Sequence, residues 1–186
     1  MGRVVLWMQQ TVDGYVEGPN GEFDWPLVED ELHTHFNEVI ERTASAFLYG
    51  RKVFEMMAGF WPTATEVEHA NTARFARLWV PMPKYVFSNT LETAAWSSQV
   101  VSGDLTLGVK QIKAEHDGDL LLIGGATIAG ELTRLGLIDE YHVFTHPVLL
   151  GGGTRLHPQL EQRINLELVE TRTFEPGVVL HRYLPR

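Results

Sequence analysis

Three short turns carry residue types that bind phosphate groups, and each follows a predicted β-strand. They are Gly50-Arg51-Lys52, Ser88-Asn89-Thr90 and Gly124-Gly125-Ala126-Thr127. The last of them comes after a run of aliphatic residues typical of a strand buried on both faces, and before apolar residues at helical spacing. Where a strand turns through glycine into a helix, free N–H groups and the positive end of the helix dipole favour an anion. One Gly-Gly turn is a weak motif, equally consistent with a turn that binds nothing.

The shared position of the three turns in the predicted fold strengthens the prediction of a binding site. In an open α/β sheet, ligands bind outside the carboxyl ends of the strands, so we expect these turns to face one crevice. Arg51 and Lys52 can neutralise a terminal phosphate, and Ser88 and Thr127 add hydroxyl donors. Taken singly, these residues are more simply interpreted as solvated charges and turn formers. Together they predict a site for a ligand with two separated phosphate groups, such as a phosphorylated dinucleotide.

The elements that must position these turns form a β/α series that ends in a hairpin. Predicted strands cover 4–8, 15–16, 47–49, 84–88, 120–123 and 141–146. One predicted helix begins at 29, and the others cover 53–60, 63–79, 105–112 and 126–135. The segments 166–174 and 178–184 flank a Pro-Gly turn and predict an antiparallel hairpin at the edge of the sheet. The chain is long enough for one domain with a sizeable core, and we expect a single domain over 1–186.

The composition narrows the possible functions. The formal net charge of −9 argues against a nucleic acid or an anionic membrane as the main partner. No apolar run approaches the length of a membrane span. The first residues lack the cleavage pattern of a signal peptide, and we expect a cytoplasmic location. There is no cysteine, which excludes disulfides, cysteine–zinc sites and thiol nucleophiles.

Other binding and catalytic motifs are incomplete. Gly103 to Lys110 has two glycines at the spacing of a Walker motif, but valine occupies the lysine position, and there is no G-x-G-x-x-G. The 8 histidines include no H-E-x-x-H, so we expect surface or core histidines and no metal site. No G-x-S-x-G elbow marks a serine nucleophile.

Carboxylates are the remaining candidates for proton transfer. They are Asp13, Asp24 and the Glu29-Asp30-Glu31 trio, and most of them should be solvated. One that lay in an apolar cleft beside an aromatic residue such as Trp25 would have a raised pKa and could donate a proton.

Five stretches, in order along nearly the whole chain, resemble the dihydrofolate reductase-like family. They are Thr11 to Gly14, Leu48 to Glu55, Val86 to Thr90, Ile123 to Ala126 and Pro147 to Gly153. The closer resemblance is to the branch that includes the reductase domain of riboflavin biosynthesis. The resemblance implies a three-layer α/β fold, with a mixed, mostly parallel sheet, helices on both faces and a C-terminal antiparallel hairpin. It also implies NADPH as cofactor and a homodimer, to which the apolar 141–150 region could contribute.

The resemblance also implies roles for individual residues toward the cofactor. Gly50, Arg51 and Lys52 would hold the adenosine 2′-phosphate, and Ser88 and Asn89 would lie by the adenine ribose. Gly124, Gly125, Ala126, Thr127 and Ile128 would cradle the pyrophosphate, with Ile123 beside them, and Thr11 would lie near the nicotinamide. In this family the Gly-Gly bond is commonly cis, and we expect a cis bond between Gly124 and Gly125.

The catalytic acid is less sharply indicated. Dihydrofolate reductases place a carboxylate a few residues after a tryptophan, and Trp25 followed by Asp30 has that spacing. Asp30 is the first choice, while Glu29, Glu31 and Asp24 stay open. Candidates for an arginine that binds a folate glutamate tail are Arg74 and Arg77.

The resulting hypothesis is an NADPH-dependent oxidoreductase that transfers a hydride to a C=N or C=O of a small substrate, such as a pteridine or a pyrimidine. The alternative is a non-catalytic NADPH- or nucleotide-binding module of the same fold.

Overall fold

A mixed eight-stranded sheet lies between two layers of helices in the computed structural model, which describes residues 1–157 and 159–186. The strands are β1 (Arg3–Thr11), β2 (Tyr15–Glu17), β3 (Ala44–Gly50), β4 (Lys84–Phe87), β5 (Ser98–Val101), β6 (Asp119–Gly124), β7 (Glu140–His146), β8 (Thr154–Arg155), β9 (Leu166–Phe174) and β10 (Val178–Pro185). The helices are α1 (Asp30–Thr43), α2 (Arg51–Phe60), α3 (Ala70–Trp79), α4 (Leu105–Glu115) and α5 (Ala126–Arg134).

The strand order of the large sheet is β5-β4-β3-β6-β1-β7-β10-β9. The first six strands of this order pair in parallel, whereas β10 is antiparallel to both β7 and β9. The short strands β2 and β8 form a separate pair. The predicted fold class is therefore confirmed: the sheet is mixed and mostly parallel, and the C-terminal hairpin forms its edge.

Each face of the sheet is covered by its own set of helices. Along β1, Val4 and Leu6 point to the face covered by α4 and α5, while Val5 and Trp7 point to the face covered by α1, α2 and α3. Helix α1 packs through Leu32 and Phe36, which are four residues apart and therefore share one side of the helix. Burial of two such side chains contributes about 2–3 kcal/mol each.

Two predictions about elements need correction. The segment 63–79 was expected to be helical throughout, but α3 begins only at Ala70, and His69 accepts a hydrogen bond from the N–H of Thr72 at its start. A short 3₁₀ turn at Trp61–Thr63 comes before it, because Pro62 lacks an N–H donor and interrupts the helix. Strand β5 was not predicted, since Ser98–Val101 is short and is half exposed at the sheet edge.

Over the described residues, no helix combines the length and the apolar character needed to cross a membrane.

Candidate active site

The first and third of the phosphate-type turns are in direct contact at the carboxyl edge of the sheet. Strands β3 and β6 are neighbours, with Tyr49 opposite Gly124 in the register, so the turns that follow them lie side by side. A Cβ atom added to Gly125 would lie 3.1 Å from the backbone nitrogen of Gly50 and 3.1 Å from the side chain of Ile128. The two turns are thus in contact, while a shared crevice that binds a ligand stays a prediction.

Both turns open helices whose first N–H groups have no side-chain cap. Gly50 is the N-cap of α2 and Gly125 is the N-cap of α5, and neither helix start is capped by a side-chain hydrogen bond. Side chains do cap α3, through His69, and α4, through Asp104, whereas α1 also begins without a side-chain cap. Free N–H groups and two positive dipole ends therefore meet at one place, which is an arrangement that favours an anion.

The peptide bond between Gly124 and Gly125 is trans, so the expectation of a cis bond was wrong. The chain turns at Gly125 through a φ of 103°, in a region that only glycine enters at low cost. A Cβ on Gly124 would lie 2.3 Å from Cγ1 of Val53, the third residue of α2. The space between the two turns thus admits no side chain at Gly124.

Arg51 extends from the first turn toward the Ser88-Asn89-Thr90 turn but is held there only loosely. Its Nη1 lies 3.5 Å from Thr90 Oγ1, and its Nε lies 3.7 Å from Glu55 Oε1. The side chain is 46% exposed, and Lys52 beside it is exposed as well. A cation held by long, exposed contacts can exchange them for a phosphate at little cost.

Ser88 and Asn89 organise the second turn through their own side chains. Ser88 Oγ accepts hydrogen bonds from the N–H of Thr90 and of Leu91, at 3.2 and 3.0 Å. Asn89 Oδ1 accepts from the N–H of Gly103 at 3.1 Å. These contacts agree with the simpler interpretation of both residues as turn formers, and a contact to the cofactor stays a prediction.

Thr11 is fully buried and fixes the loop that follows β1. Its Oγ1 donates to Asp13 Oδ1 at 2.6 Å and accepts from the N–H of Tyr15 at 3.0 Å. Asp13 also accepts from the N–H of Gly151 at 2.8 Å and that of Leu150 at 3.3 Å. The hydrogen bond from Thr11, followed by these N–H donors, lowers the pKa of Asp13. Thr11 and Asp13 therefore tie the loop after β1 to the loop after β7.

Four of the five candidate acids lie on the surface, and the fifth, Asp13, is the half-buried carboxylate described above. Asp24, Glu29, Asp30 and Glu31 are exposed, and none of them lies in an apolar cleft. The Asp30 side chain is 77% exposed, and its Oδ1 lies 3.2 Å from His69 Nε2, on the side of α1 that faces α3. The structure does not assign a catalytic role to any of these carboxylates, so the role of Asp30 stays a prediction.

The two arginines considered for a folate tail are both occupied within the protein. Arg74 forms a two-point ion pair with Glu41, at 2.8 Å and 2.5 Å. Arg77 Nη1 donates to the carbonyl oxygen of Thr65 at 2.6 Å.

A buried aromatic pair at the carboxyl end of β7 was not anticipated. His146 is fully buried, and the Trp25 ring stands against it with centroids 5.3 Å apart and planes at 78°. The N–H of Leu27 donates to His146 Nδ1 at 3.0 Å. Burial lowers the pKa of His146 to about 4, so the ring is neutral at pH 7. Its position in the sequence could have indicated this, because His146 is the last residue of a predicted strand and the three turns also lie at strand ends.

The opposite edge of the sheet carries a buried ion network. Glu140 is 2% exposed, and its Oε1 lies 2.8 Å from His142 Nε2 and accepts from Arg182 Nη2 at 2.5 Å. Its Oε2 accepts from Arg3 Nη1 at 3.3 Å. The hydrogen bond from His142, with that from Arg182, lowers the pKa of Glu140 to about 2. This network lies at the amino ends of the strands and stabilises the end of the sheet remote from the turns.

The chain matches the family model of the RibD C-terminal domain over residues 3–180. It is 35% identical over 181 residues to YyaP, an uncharacterized protein of Bacillus subtilis (strain 168), and this match covers 95% of the chain and 92% of that protein.

Solved structures show the same fold. A protein from Shewanella sp. PV-4 assigned to riboflavin biosynthesis superposes with a TM-score of 0.78 at 22% identity, covering 100% of this chain and 99% of that one. Dihydrofolate reductase from Enterococcus faecalis, complexed with NADP(H) and RAB-propyl, superposes with a TM-score of 0.66 at 17% identity, covering 100% and 97%. These comparisons confirm the family resemblance drawn from the motifs. The chain belongs to the RibD C-terminal domain family, whose fold is that of the dihydrofolate reductases.

Proposed function

We propose that the protein is an NADPH-dependent reductase that transfers a hydride to a C=N or C=O of a small substrate, such as a pteridine or a pyrimidine. Membership of the RibD C-terminal domain family supports a reductase in general terms. The dihydrofolate reductase of the same fold that was solved with NADP(H) supports the choice of cofactor.

The observation that carries the proposal is the contact between the two uncapped helix starts. Gly50 and Gly125 open α2 and α5 with free N–H groups, and the turns approach so closely that a Cβ would fill the space between them. A pyrophosphate would lie over the two helix starts and not between the turns, where its oxygens would accept from backbone N–H groups and the helix dipoles would favour its charge. Arg51 and Lys52 would hold the 2′-phosphate, and Ser88 and Asn89 would lie by the ribose. Bound there, NADPH would supply the hydride, while the protein would supply orientation and a shaped pocket.

The experiment that tests this assignment compares NADPH with NADH in the Arg51→Ala variant. Because Arg51 would contact only the 2′-phosphate, we expect NADPH affinity to fall about 10- to 100-fold, as for a lost charge-assisted hydrogen bond, with NADH affinity almost unchanged. Isothermal titration calorimetry measures both. Arg134→Ala is the matched control, since Arg134 is similarly exposed at 45% but lies at the far end of α5. Equal losses for the two cofactors would refute the 2′-phosphate assignment.

The predicted proton donor has its own test. If Asp30 delivers a proton, Asp30→Asn should lower kcat at least tenfold and leave NADPH affinity unchanged. The control is Glu38→Gln, an exposed carboxylate of the same helix that is not among the candidate acids. Equal kcat values for wild type and Asp30→Asn would remove Asp30 from the mechanism.

The exposure of Asp24, Glu29, Asp30 and Glu31 supports a second function, a nucleotide-binding module without turnover. Consumption of NADPH over a panel of pteridines, aminopyrimidines and simple carbonyl compounds separates the two proposals. Binding of NADPH without oxidation anywhere on the panel would favour the module.

A homodimer is proposed on the family resemblance alone. Of the apolar 141–150 region, β7 lies inside the sheet between β1 and β10 and is largely buried, while Leu149 is 70% exposed. Leu149 is therefore the member of that region best placed to contribute to an interface. Analytical ultracentrifugation gives the oligomeric state directly, and Leu149→Glu should weaken a dimer that buries this side chain.

A further inference from the structure

Two buried N–H donors without acceptors lie together at the carboxyl edge of the sheet. One is the indole Nε1 of Trp25, and the other is the imidazole Nε2 of His146. Trp25 is 8% exposed and His146 fully buried, and their rings are in contact at 5.3 Å between centroids. Leaving one buried donor unpaired is costly and uncommon, so two on adjacent rings require an explanation.

The hydrogen on His146 Nε2 follows from the contact on the other side of the ring. The N–H of Leu27 donates to Nδ1, so Nδ1 must present its lone pair. A neutral imidazole then carries its hydrogen on Nε2, which makes Nε2 a donor. The Trp25 indole nitrogen can only donate. Both groups thus require an acceptor, and among the described residues neither has one.

The location of the pair connects it with the proposed chemistry. His146 ends β7 directly opposite Thr11, the last residue of β1, in the register of the sheet. Trp25 comes from the segment 18–29, which forms no helix or strand and runs over this edge. The donors are covered by protein atoms, so a ligand has to reach them by a local shift of this segment.

A single atom that accepts from both N–H groups needs two lone pairs. A carbonyl oxygen has two lone pairs and can accept from both N–H groups at once, whereas the nitrogen of a C=N bond has one and can accept from only one of them. We propose that Trp25 Nε1–H and His146 Nε2–H together bind the carbonyl oxygen of the substrate, so that the group reduced is C=O and not C=N. This inference rests on the reductase function proposed above.

The corresponding reaction is balanced with NADPH as the reductant. The carbonyl carbon gains the hydride, the π bond of the C=O becomes a lone pair on oxygen, and that oxygen takes a proton from water. The products are an alcohol and NADP⁺. The two N–H groups hold the oxygen as negative charge develops on it, which is where fixed donors contribute most to the rate.

Nuclear magnetic resonance tests the binding step without turnover. The protein, labelled with ¹⁵N and saturated with NADP⁺, is titrated with small cyclic ketones and with cyclic imines matched in ring size, cyclopentanone and 2-methyl-1-pyrroline among them. We expect ketones to shift both the Trp25 indole and the His146 imidazole N–H resonances downfield, and imines to shift at most one. The Trp79 indole is an internal control, because its N–H already donates to Tyr49 Oη at 3.0 Å. Ketone titrations that move neither resonance, or imines that move both, would overturn the proposal.

Kinetics provide the second readout. Trp25→Phe keeps an aromatic ring but removes the donor, so kcat/KM for ketones should fall about tenfold, the effect of one hydrogen bond. Its affinity for NADPH should be unchanged. Trp96→Phe is the control, since it removes the same indole N–H from a tryptophan that is 44% exposed and lies outside segment 18–29. Failure to bind NADPH would count against the reductase function itself, whereas NADPH binding with reduction of imines alone would overturn only the carbonyl assignment.

Discussion

Gly124→Ala is the perturbation that most directly probes how the two turns are held together. The added Cβ would lie 2.3 Å from Val53 Cγ1, 2.9 Å from Val53 Cβ and 3.1 Å from Val53 Cγ2. Carbon atoms in contact normally stay about 3.5–4.0 Å apart, so the first turn of α2 has to move away from β6. Overpacking of this kind costs about 1–3 kcal/mol. We therefore expect the free energy of unfolding to fall by roughly this amount.

The same displacement should weaken the proposed cofactor site. Val53 follows directly after the Gly50-Arg51-Lys52 turn, so a shift of α2 carries Arg51 with it. We expect NADPH affinity to fall about tenfold or more, in step with the loss of about 1.4 kcal/mol of binding free energy. Urea denaturation measures the stability of the variant, and calorimetric titration measures its affinity for NADPH.

A double-mutant cycle isolates the contact from other effects. Val53→Ala removes both γ carbons, so the Gly124→Ala/Val53→Ala protein should be more stable than the two single changes predict when added. Gly59→Ala is the control in the same helix, because a Cβ there meets no atom within 4 Å and alanine favours the helix. Additive single changes, or a Gly124→Ala variant with wild-type stability and NADPH affinity, would refute this account of the two turns.

Two further predictions concern the rest of the fold. Glu140 has its pKa lowered from 4.5 to about 2, so the stability it contributes is complete above pH 4.5 and is lost as the pH falls through about 2. Glu140→Gln should therefore lose about 3 kcal/mol at pH 7 and flatten the acid limb of a stability–pH curve, and an unchanged limb would contradict the network. A Cβ on Gly153 would lie 2.0 Å from the carbonyl oxygen of Glu17, at a φ of 122°, so Gly153→Ala should separate β2 from β8 and lower the melting temperature. Gly152→Ala, whose nearest neighbour would be Pro19 at 3.5 Å, should leave the melting temperature close to that of the wild type.

The sequence was sufficient for most of the elements because their signals are local. Runs of aliphatic residues predicted the central strands, and the 166–174 and 178–184 segments with the turn between them match β9 and β10 closely. Local chemistry also located the glycine turns. A general rule of α/β sheets then placed them at one edge, and the structure bears out that contact for Gly50 and Gly125.

The exposure of Asp30 follows from the apolar pattern of α1. The apolar stripe of α1, which includes Leu32 and Phe36, fixes how the helix is rotated against the sheet. Asp30 precedes Leu32 by two residues, or about 200° around the helix, so it lies off the stripe that packs on the sheet. The spacing between Trp25 and Asp30 carries no information about this rotation of the helix.

Other features depended on how the chain packs, and only the tertiary structure decided them. Lys84 was predicted simply as part of a strand, yet it is fully buried, with Nζ 2.8 Å from the carbonyl oxygens of Met82 and Trp96 and 4.1 Å from the centre of the Trp79 ring. No local pattern shows that these carbonyl groups will replace the water around a charge.

The candidate site also has one part that follows from local sequence and one part that depends on tertiary packing. Residue types and spacing determined where phosphate groups could bind, because free N–H groups at glycine turns depend on the local chain path. The pairing of Trp25 with His146, which lie more than a hundred positions apart, exists only because segment 18–29 folds over the end of β7. The sequence therefore determined the proposed cofactor side of the site. The proposed substrate side was decided by packing, since long-range contacts fix which polar atoms are buried without a partner.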